Sequence, residues 1–396
     1  MQDSGNPSAF LIAILRASSR LTRMYDIGKK ELKAMARVLE RGHFFRYGGK
    51  EIAKAEQEWA EKIGVNTAVT VTSGTAALIT GLQALGIGPG HSVLLPGYTF
   101  ISTALAVTAV GAIPLYVEVD DSLTMDPEDL RKKIRAHTGC IMPVHMQGMP
   151  CDLSPILAIA AEKGIPVLED CCQADGGAYR GHRLGSLGAL GAFSFNQYKI
   201  ISCGEGGACV TSDTKLAERL YMAQDGSCSV WPETGEMSEA FFCGGNFRFN
   251  EINAAMLRVQ IKKLDKILQR LRRKRTWLMK HLEIPEDCRF VPTHDEDGQC
   301  GVCLLIQAPT AARAAALEAD LAKAGHTVHR PVNSGRHVYK AWDVINARRG
   351  GVHPDWDAFQ HPKNARIATH YDRPLKKTDD LLARTILLHT PYEKKK

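Results

Sequence analysis

Between residues 68 and 195, short apolar runs alternate with stretches of helical periodicity. The runs cover residues 69–72, 92–95, 115–119, 140–144, 165–168 and 192–195. Each is short enough to be a strand. Between them, apolar positions recur every three to four residues over 76–85, 102–110, 126–134 and 153–163, which predicts helices. Strand and helix alternating at this spacing predict βαβ units on a mainly parallel sheet. Upstream, residues 28–42 place Leu32, Met35, Ala36 and Leu39 at helical spacing and end at Gly42; residues 50–63 repeat the pattern. Downstream, residues 251–281 read as one long helix with Leu264, Ile267, Leu268 and Leu271 on its buried side. The pattern divides the chain into an N-terminal extension (1–24), a large domain with its linking helix (25–281) and a small C-terminal α/β domain (282–396).

Length supports that division, because 396 residues exceed what one compact core usually holds. Hydrophobic residues at 44% and charged residues at 23% are the mix of a soluble globular protein. The net charge of +7 suits anionic substrates such as phosphates or nucleotides. Nine of the basic residues fall between 262 and 280, on the long helix. Aromatic residues for base stacking are nearly absent there, so a solvated helix face is expected and not a nucleic-acid surface. Residues 9–15 form an apolar run too short to span a bilayer. No basic region precedes it, so it reads as part of a packing helix and not as a signal peptide. An odd count of 11 cysteines argues for reduced thiols and a cytoplasmic location. Cys300 and Cys303 form a CxxC, yet no second pair stands at zinc spacing, and no metal is expected.

Four segments carry candidate chemistry, each just past an expected strand, where open α/β sheets place their ligands. Lys199 lies in FSFNQYK, followed by the Gly-rich GEGG. A partly buried lysine amine there can form a Schiff base with an aldehyde, although a lysine after a strand is often plain surface. Asp170, in VLED, could hold a pyridinium nitrogen protonated, or simply cap the next helix. Thr72-Ser-Gly-Thr75 offers helix-start N–H groups and hydroxyls to a phosphate, or an ordinary helix cap. Phe100, in PGYTF, could stack on a flat ring, or belong to the core. Together they supply the parts of a pyridoxal 5′-phosphate site.

SGTAAL, PGYTF, EDCCQADGG, FSFNQYK, GEGG and GNFRFNEINAA stand in the order and at the spacing of the DegT/DnrJ/StrS aminotransferases. The resemblance runs over about residues 25–390. It implies a fold-type-I pyridoxal-phosphate transferase, like aspartate aminotransferase. It implies an amino group moved from glutamate or glutamine to a keto sugar, nucleotide sugar or cyclitol. Carried over by position, Lys199 binds the cofactor as a Schiff base and moves the proton. Asp170 pairs with the ring nitrogen, and Gln173 lies near the ring hydroxyl. Gly74, Thr75 and Ser194 bind the phosphate, and Phe100 stacks on the ring. Asn246 reaches the cofactor of a partner subunit, which implies a homodimer with shared sites. His145 is structural. Arg46, Tyr47, Trp231, Arg248 and Arg330 are candidate substrate contacts, and residues 337–372 form a long stretch expected to cover the substrate. Lyase or dehydratase chemistry on the same scaffold stays open, as does a cofactor-binding regulator, although residues 1–24 are too few for a DNA-binding appendage.

Overall fold

A computed structural model of the chain describes residues 26–232, 235–369 and 374–390. The expected extension, its apolar run at 9–15 and the tail after residue 390 lie outside the described residues. So do residues 370–372 of the long stretch.

The large unit is built around seven strands. They are β1 (Thr67–Val71), β2 (Ser92–Pro96), β3 (Ile113–Val117), β4 (Thr138–Ile141), β5 (Leu168–Asp170), β8 (Leu190–Ser194) and β9 (Gly207–Thr211). A small hairpin, β6 (Ala178–Tyr179) and β7 (His182–Arg183), lies between β5 and β8. Strand β2 pairs in parallel with β3 and β4, and β5 with β8. Parallel bridges Ile141↔Val167 and Val144↔Asp170 join the two groups. The order is therefore β3-β2-β4-β5-β8-β9-β1. Only β9 runs against its neighbours, pairing antiparallel with both β1 and β8.

The apolar runs account for every strand of this sheet except β9. Its sequence, GACVT, follows the glycines of the turn and reads as their continuation. Small residues are needed there. A Cβ on Gly207 would stand 2.4 Å from the Ser73 carbonyl and 2.7 Å from that of Phe193. The strand start is wedged between the ends of β1 and β8, and the glycine that permits this masks the strand.

Helices α1 (Lys29–Arg41), α2 (Glu51–Ile63), α3 (Gly74–Ala84), α4 (Ser102–Ala109), α5 (Pro127–Lys133), α6 (Leu153–Lys163) and α7 (Thr214–Gln224) belong to this unit. Ser73 caps α3 by accepting from Ala76 N at 3.1 Å. The long helix α8 (Glu251–His281) buries Leu264, Ile267, Leu268 and Leu271, as its periodicity predicts. Part of its basic face is spent on α1 and α2. Arg258 bridges Glu51 and Glu58 at 2.6 and 2.8 Å, and Lys263 meets Glu31 at 2.5 Å. Helix α1 departs from the simple pattern. Glu31 and Val38 face inward, while Leu32 and Leu39 stay 64% and 56% exposed.

A second sheet, wholly antiparallel, follows the long helix. Its order is β10 (Arg289–Phe290), β11 (Cys303–Gln307), β13 (Thr385–His389), β12 (Val328–His329). Helix α9 (Ala311–Lys323) covers it, and Leu304, Ile306, Leu317, Leu321, Ile386 and Leu388 form its own core. Cys300 and Cys303 are buried free thiols, and Cys303 opens β11. The stretch after β12 turns back to the large core. Trp342 is fully buried there, 5.6 Å from the ring of Tyr116.

Candidate active site

The ends of β1, β2, β5 and β8 bring four sequence-distant segments together. Asp170, the last residue of β5, is buried. Its Oδ2 accepts from Thr103 Oγ1 at 2.8 Å and its Oδ1 from Cys172 N at 3.1 Å. Thr103 in turn meets Thr99 Oγ1 at 2.7 Å. The turn carrying Phe100 is thus tied to the Asp170 carboxylate by two hydroxyls. Thr103 has no motif of its own and was not expected as a partner. Its signal lies in the fold, because only sheet order sets α4 against β5.

The turn between β1 and α3 packs on the end of β8. A Cβ on Gly74 would lie 2.7 Å from Ser194 Cβ and 2.9 Å from Cys172 Sγ. Gly74 and Ser194 therefore share one corner, with Thr75 next along the turn. The N–H groups of Gly74 and Thr75 are the first of α3 and have no helical acceptor. Such helix-start N–H groups can receive an anion.

Lys199 follows β8 on the loop that leads into β9, and is half-buried. Its backbone N–H donates to Asn196 O at 3.0 Å. Its amine forms no hydrogen bond or ion pair with a described residue. Its charge is felt by Cys172, Asp175 and His337. Burial raises the Cys172 thiol and the Asp175 carboxyl well above their ordinary ranges, and Lys199 opposes both shifts. Asp175 was not among the expected residues, and His337 was expected only as the start of the stretch over 337–372. Gln173 is held from behind, its Oε1 accepting from Gln147 N at 3.1 Å. Gln147 takes a left-handed φ of 55° to do so, a conformation that costs energy for a residue with a Cβ.

Beneath the site, His145 and Glu169 are fully buried and 3.2 Å apart. With Cys171 they form a possible metal-ligating group. Glu169, however, already accepts from the N–H groups of Gly185, Leu187 and Gly188 at 2.9, 2.8 and 2.6 Å. His145 Nδ1 accepts from Cys151 N at 3.1 Å. These donors are spent on the fold, which fits a structural His145. With Nδ1 accepting, Nε2 carries the ring proton and donates it to Glu169. Glu169→Gln should cost about 2–3 kcal/mol, the scale of a buried hydrogen bond to a charged group, and a thermal melt beside the parent protein checks this.

Three of the expected substrate contacts form one cluster beside the end of β1. Tyr47 stacks on Trp231 at 4.9 Å and donates to Asp225 Oδ2 at 2.9 Å. Arg248 meets Asp225 Oδ1 at 3.0 Å and lies 5.3 Å over the Phe45 ring. Burial works against the Asp225 charge, but Ser227, Arg248 and Tyr47 hold its pKa below the usual range. Arg248 bridges to Val71, which sets the cluster next to the Ser73-Gly74-Thr75 turn. The other two make their ion pairs outside this cluster. Arg46 is buried, 2.8 Å from Glu56 and hydrogen-bonded to Thr70, so its charge serves the core. Arg330 is held by Glu318 at 3.0 Å on the second sheet's side. Asn246 is exposed and bridges to Asp225, beside that cluster.

Known proteins resemble this chain in sequence and in fold. The sequence profile of the DegT/DnrJ/EryC1/StrS aminotransferase family matches residues 25–342. The chain is 37% identical over 238 residues to 3-amino-5-hydroxybenzoate synthase of Amycolatopsis mediterranei, covering 59% of this chain and 61% of that one. It is 40% identical over 235 residues to dTDP-3-amino-3,4,6-trideoxy-alpha-D-glucose transaminase of Streptomyces venezuelae, covering 59% and 60%. These matches span about three-fifths of each curated relative. The solved structure of 3-amino-5-hydroxybenzoic acid synthase superposes with a TM-score of 0.78 at 28% identity, over 94% of both chains.

Proposed function

Because the chain belongs to the DegT/DnrJ/EryC1/StrS aminotransferase family, we propose that it moves an amino group from glutamate or glutamine to a keto group of a sugar, nucleotide sugar or cyclitol. Family members use pyridoxal 5′-phosphate, and the residues here fit it. The first turn of α3 presents unclaimed N–H groups, and Gly74 leaves open the corner that a Cβ would fill. Asp170 is a buried carboxylate fixed by two donors. Lys199 offers an amine with no other partner among the described residues. That last observation carries the reading.

The cofactor would supply an aldehyde to carry nitrogen and an electron-poor ring to spread negative charge. The protein does the rest. The Gly74–Thr75 turn and Ser194 would hold the cofactor's phosphate. Asp170 would keep a proton on the ring nitrogen, with Thr103 and the Cys172 N–H aiming its carboxylate. Phe100 would offer its ring to the cofactor's face. Lys199 would supply the amine that carries the cofactor and would take and return a proton at the reacting carbon, as general base and acid.

Residues 25–281 serve as the cofactor domain and 282–396 as the small domain. A homodimer with shared sites is supported by exposed Asn246 and by the uncovered Leu32, Leu39 and Phe44. All eleven cysteines are free thiols, which supports a reducing, cytoplasmic setting. No helix among the described residues is long and apolar enough to cross a membrane.

A screen of amino donors, then of keto-sugar and keto-cyclitol acceptors, tests the reading through the cofactor spectrum. Glutamate or glutamine should convert the aldehyde form to the amine form, and an acceptor should restore it. Labelled donor nitrogen lost as ammonia would favour lyase chemistry instead. Gly74→Ala should weaken cofactor binding about tenfold, since overpacking a tight contact costs about 1–3 kcal/mol. Fluorescence titration of the apoenzyme with pyridoxal phosphate checks this.

A further inference from the structure

Residues 336–339, beyond the second sheet's β12, run along the turn that carries Phe100. Ile101 N donates to Arg336 O at 2.8 Å, Thr99 N to His337 O at 3.0 Å, and Tyr339 N to Gly97 O at 3.0 Å. Tyr98 and Val338 form an antiparallel bridge between them. This short ladder places the His337 ring 5.4 Å from that of Phe100. His337 Nδ1 is occupied, 2.6 Å from Ser334 Oγ. Nε2 has no partner among the described residues.

From this geometry we infer that His337 is an acceptor-binding residue, brought to the site by the small domain to hydrogen-bond a hydroxyl next to the keto group. The inference rests on the functional reading above. An imidazole with one nitrogen anchored and the other open is a directional hydrogen-bonding group. Its charge state suits a neutral ligand. Burial comes first, then Arg336 beside it, Lys199 from the loop after β8 and His329 from β12; together they lower its pKa to about 4. A neutral imidazole pairs well with a polyol hydroxyl, and poorly with the donor's carboxylate, which calls for a cation. The long stretch expected to cover the substrate thus contributes at its start. Its middle turns away to bury Trp342 in the large core.

The two half-reactions separate this role from others. They are followed in the holoenzyme by the cofactor spectrum, for the parent protein, His337→Ala and His337→Gln. The donor half-reaction with glutamate or glutamine should stay within about twofold. Acceptor affinity should fall about tenfold in His337→Ala, the scale of one hydrogen bond, and return to within about threefold in His337→Gln. Unchanged acceptor affinity, or equal loss in both halves, overturns the inference. A second readout needs no turnover. Diethyl pyrocarbonate acylates only neutral imidazoles, so at pH 5 peptide mapping should find His337 labelled while ordinary histidines are spared. An unreactive His337 at pH 5 overturns the inference. A missing cofactor band with His337 still labelled would instead count against the functional reading.

Discussion

Replacing Lys199 with alanine is expected to abolish the cofactor's protein-linked absorbance band and to lower turnover by at least about 10³-fold, within the range for losing a positioned general acid–base. No other group among the described residues is placed to take over. The nearby carboxyl, Asp175, is fully buried, and burial holds its pKa well above the usual range. The nearby thiol, Cys172, is likewise held protonated by burial and by Asp170. The nearby imidazole, His337, is too weak a base at a pKa of about 4. Fold stability should barely change, because the Lys199 amine makes no hydrogen bond or ion pair with a described residue. Absorbance spectra, a coupled transamination assay and a thermal melt on one preparation separate these outcomes. Turnover near the parent level would remove Lys199 from the chemistry.

Asp170→Asn carries the second-largest effect. The amide keeps the shape and can still accept from Cys172 N, and Thr103 can reverse its hydrogen bond. Only the charge goes. Loss of one fixed electrostatic partner at a reacting group costs about 10²–10³ in rate, and the amide cannot hold a proton on the ring nitrogen. Turnover should therefore fall by about 10²-fold, with the cofactor still attached. Steady-state rates beside the absorbance spectrum check this. Thr103→Val should give a smaller loss in the same direction, about threefold to tenfold, because it removes one donor of the two that aim the carboxylate.

Much of this was legible in the sequence because the relevant signals are local. Strand-then-turn patterns placed Asp170, Gly74, Phe100 and Lys199 at strand ends, where the fold makes them neighbours. Helical spacing found the buried face of α8. What was not legible depends on contacts between distant segments. Strand β9 was hidden by the glycine that lets it pass Ser73 and Phe193. Arg46 reads as a free cation in a loop, but Glu56 on the next helix claims it. Leu32 and Leu39 keep perfect helical spacing and yet face outward, because Glu31 turns in to meet Lys263 and Gln260 from α8. Thr103 and His337 have no motif; sheet order and a ladder formed across more than 200 residues bring them in.

One measurement bears most directly on Lys199 as the covalent attachment point of the cofactor. The holoenzyme is reduced with borohydride, digested and mapped by mass spectrometry. The account predicts a reduced pyridoxyl phosphate adduct on the peptide containing Lys199 and on no other lysine. An adduct on a different lysine, or none from an enzyme that retains its cofactor and activity, would contradict it.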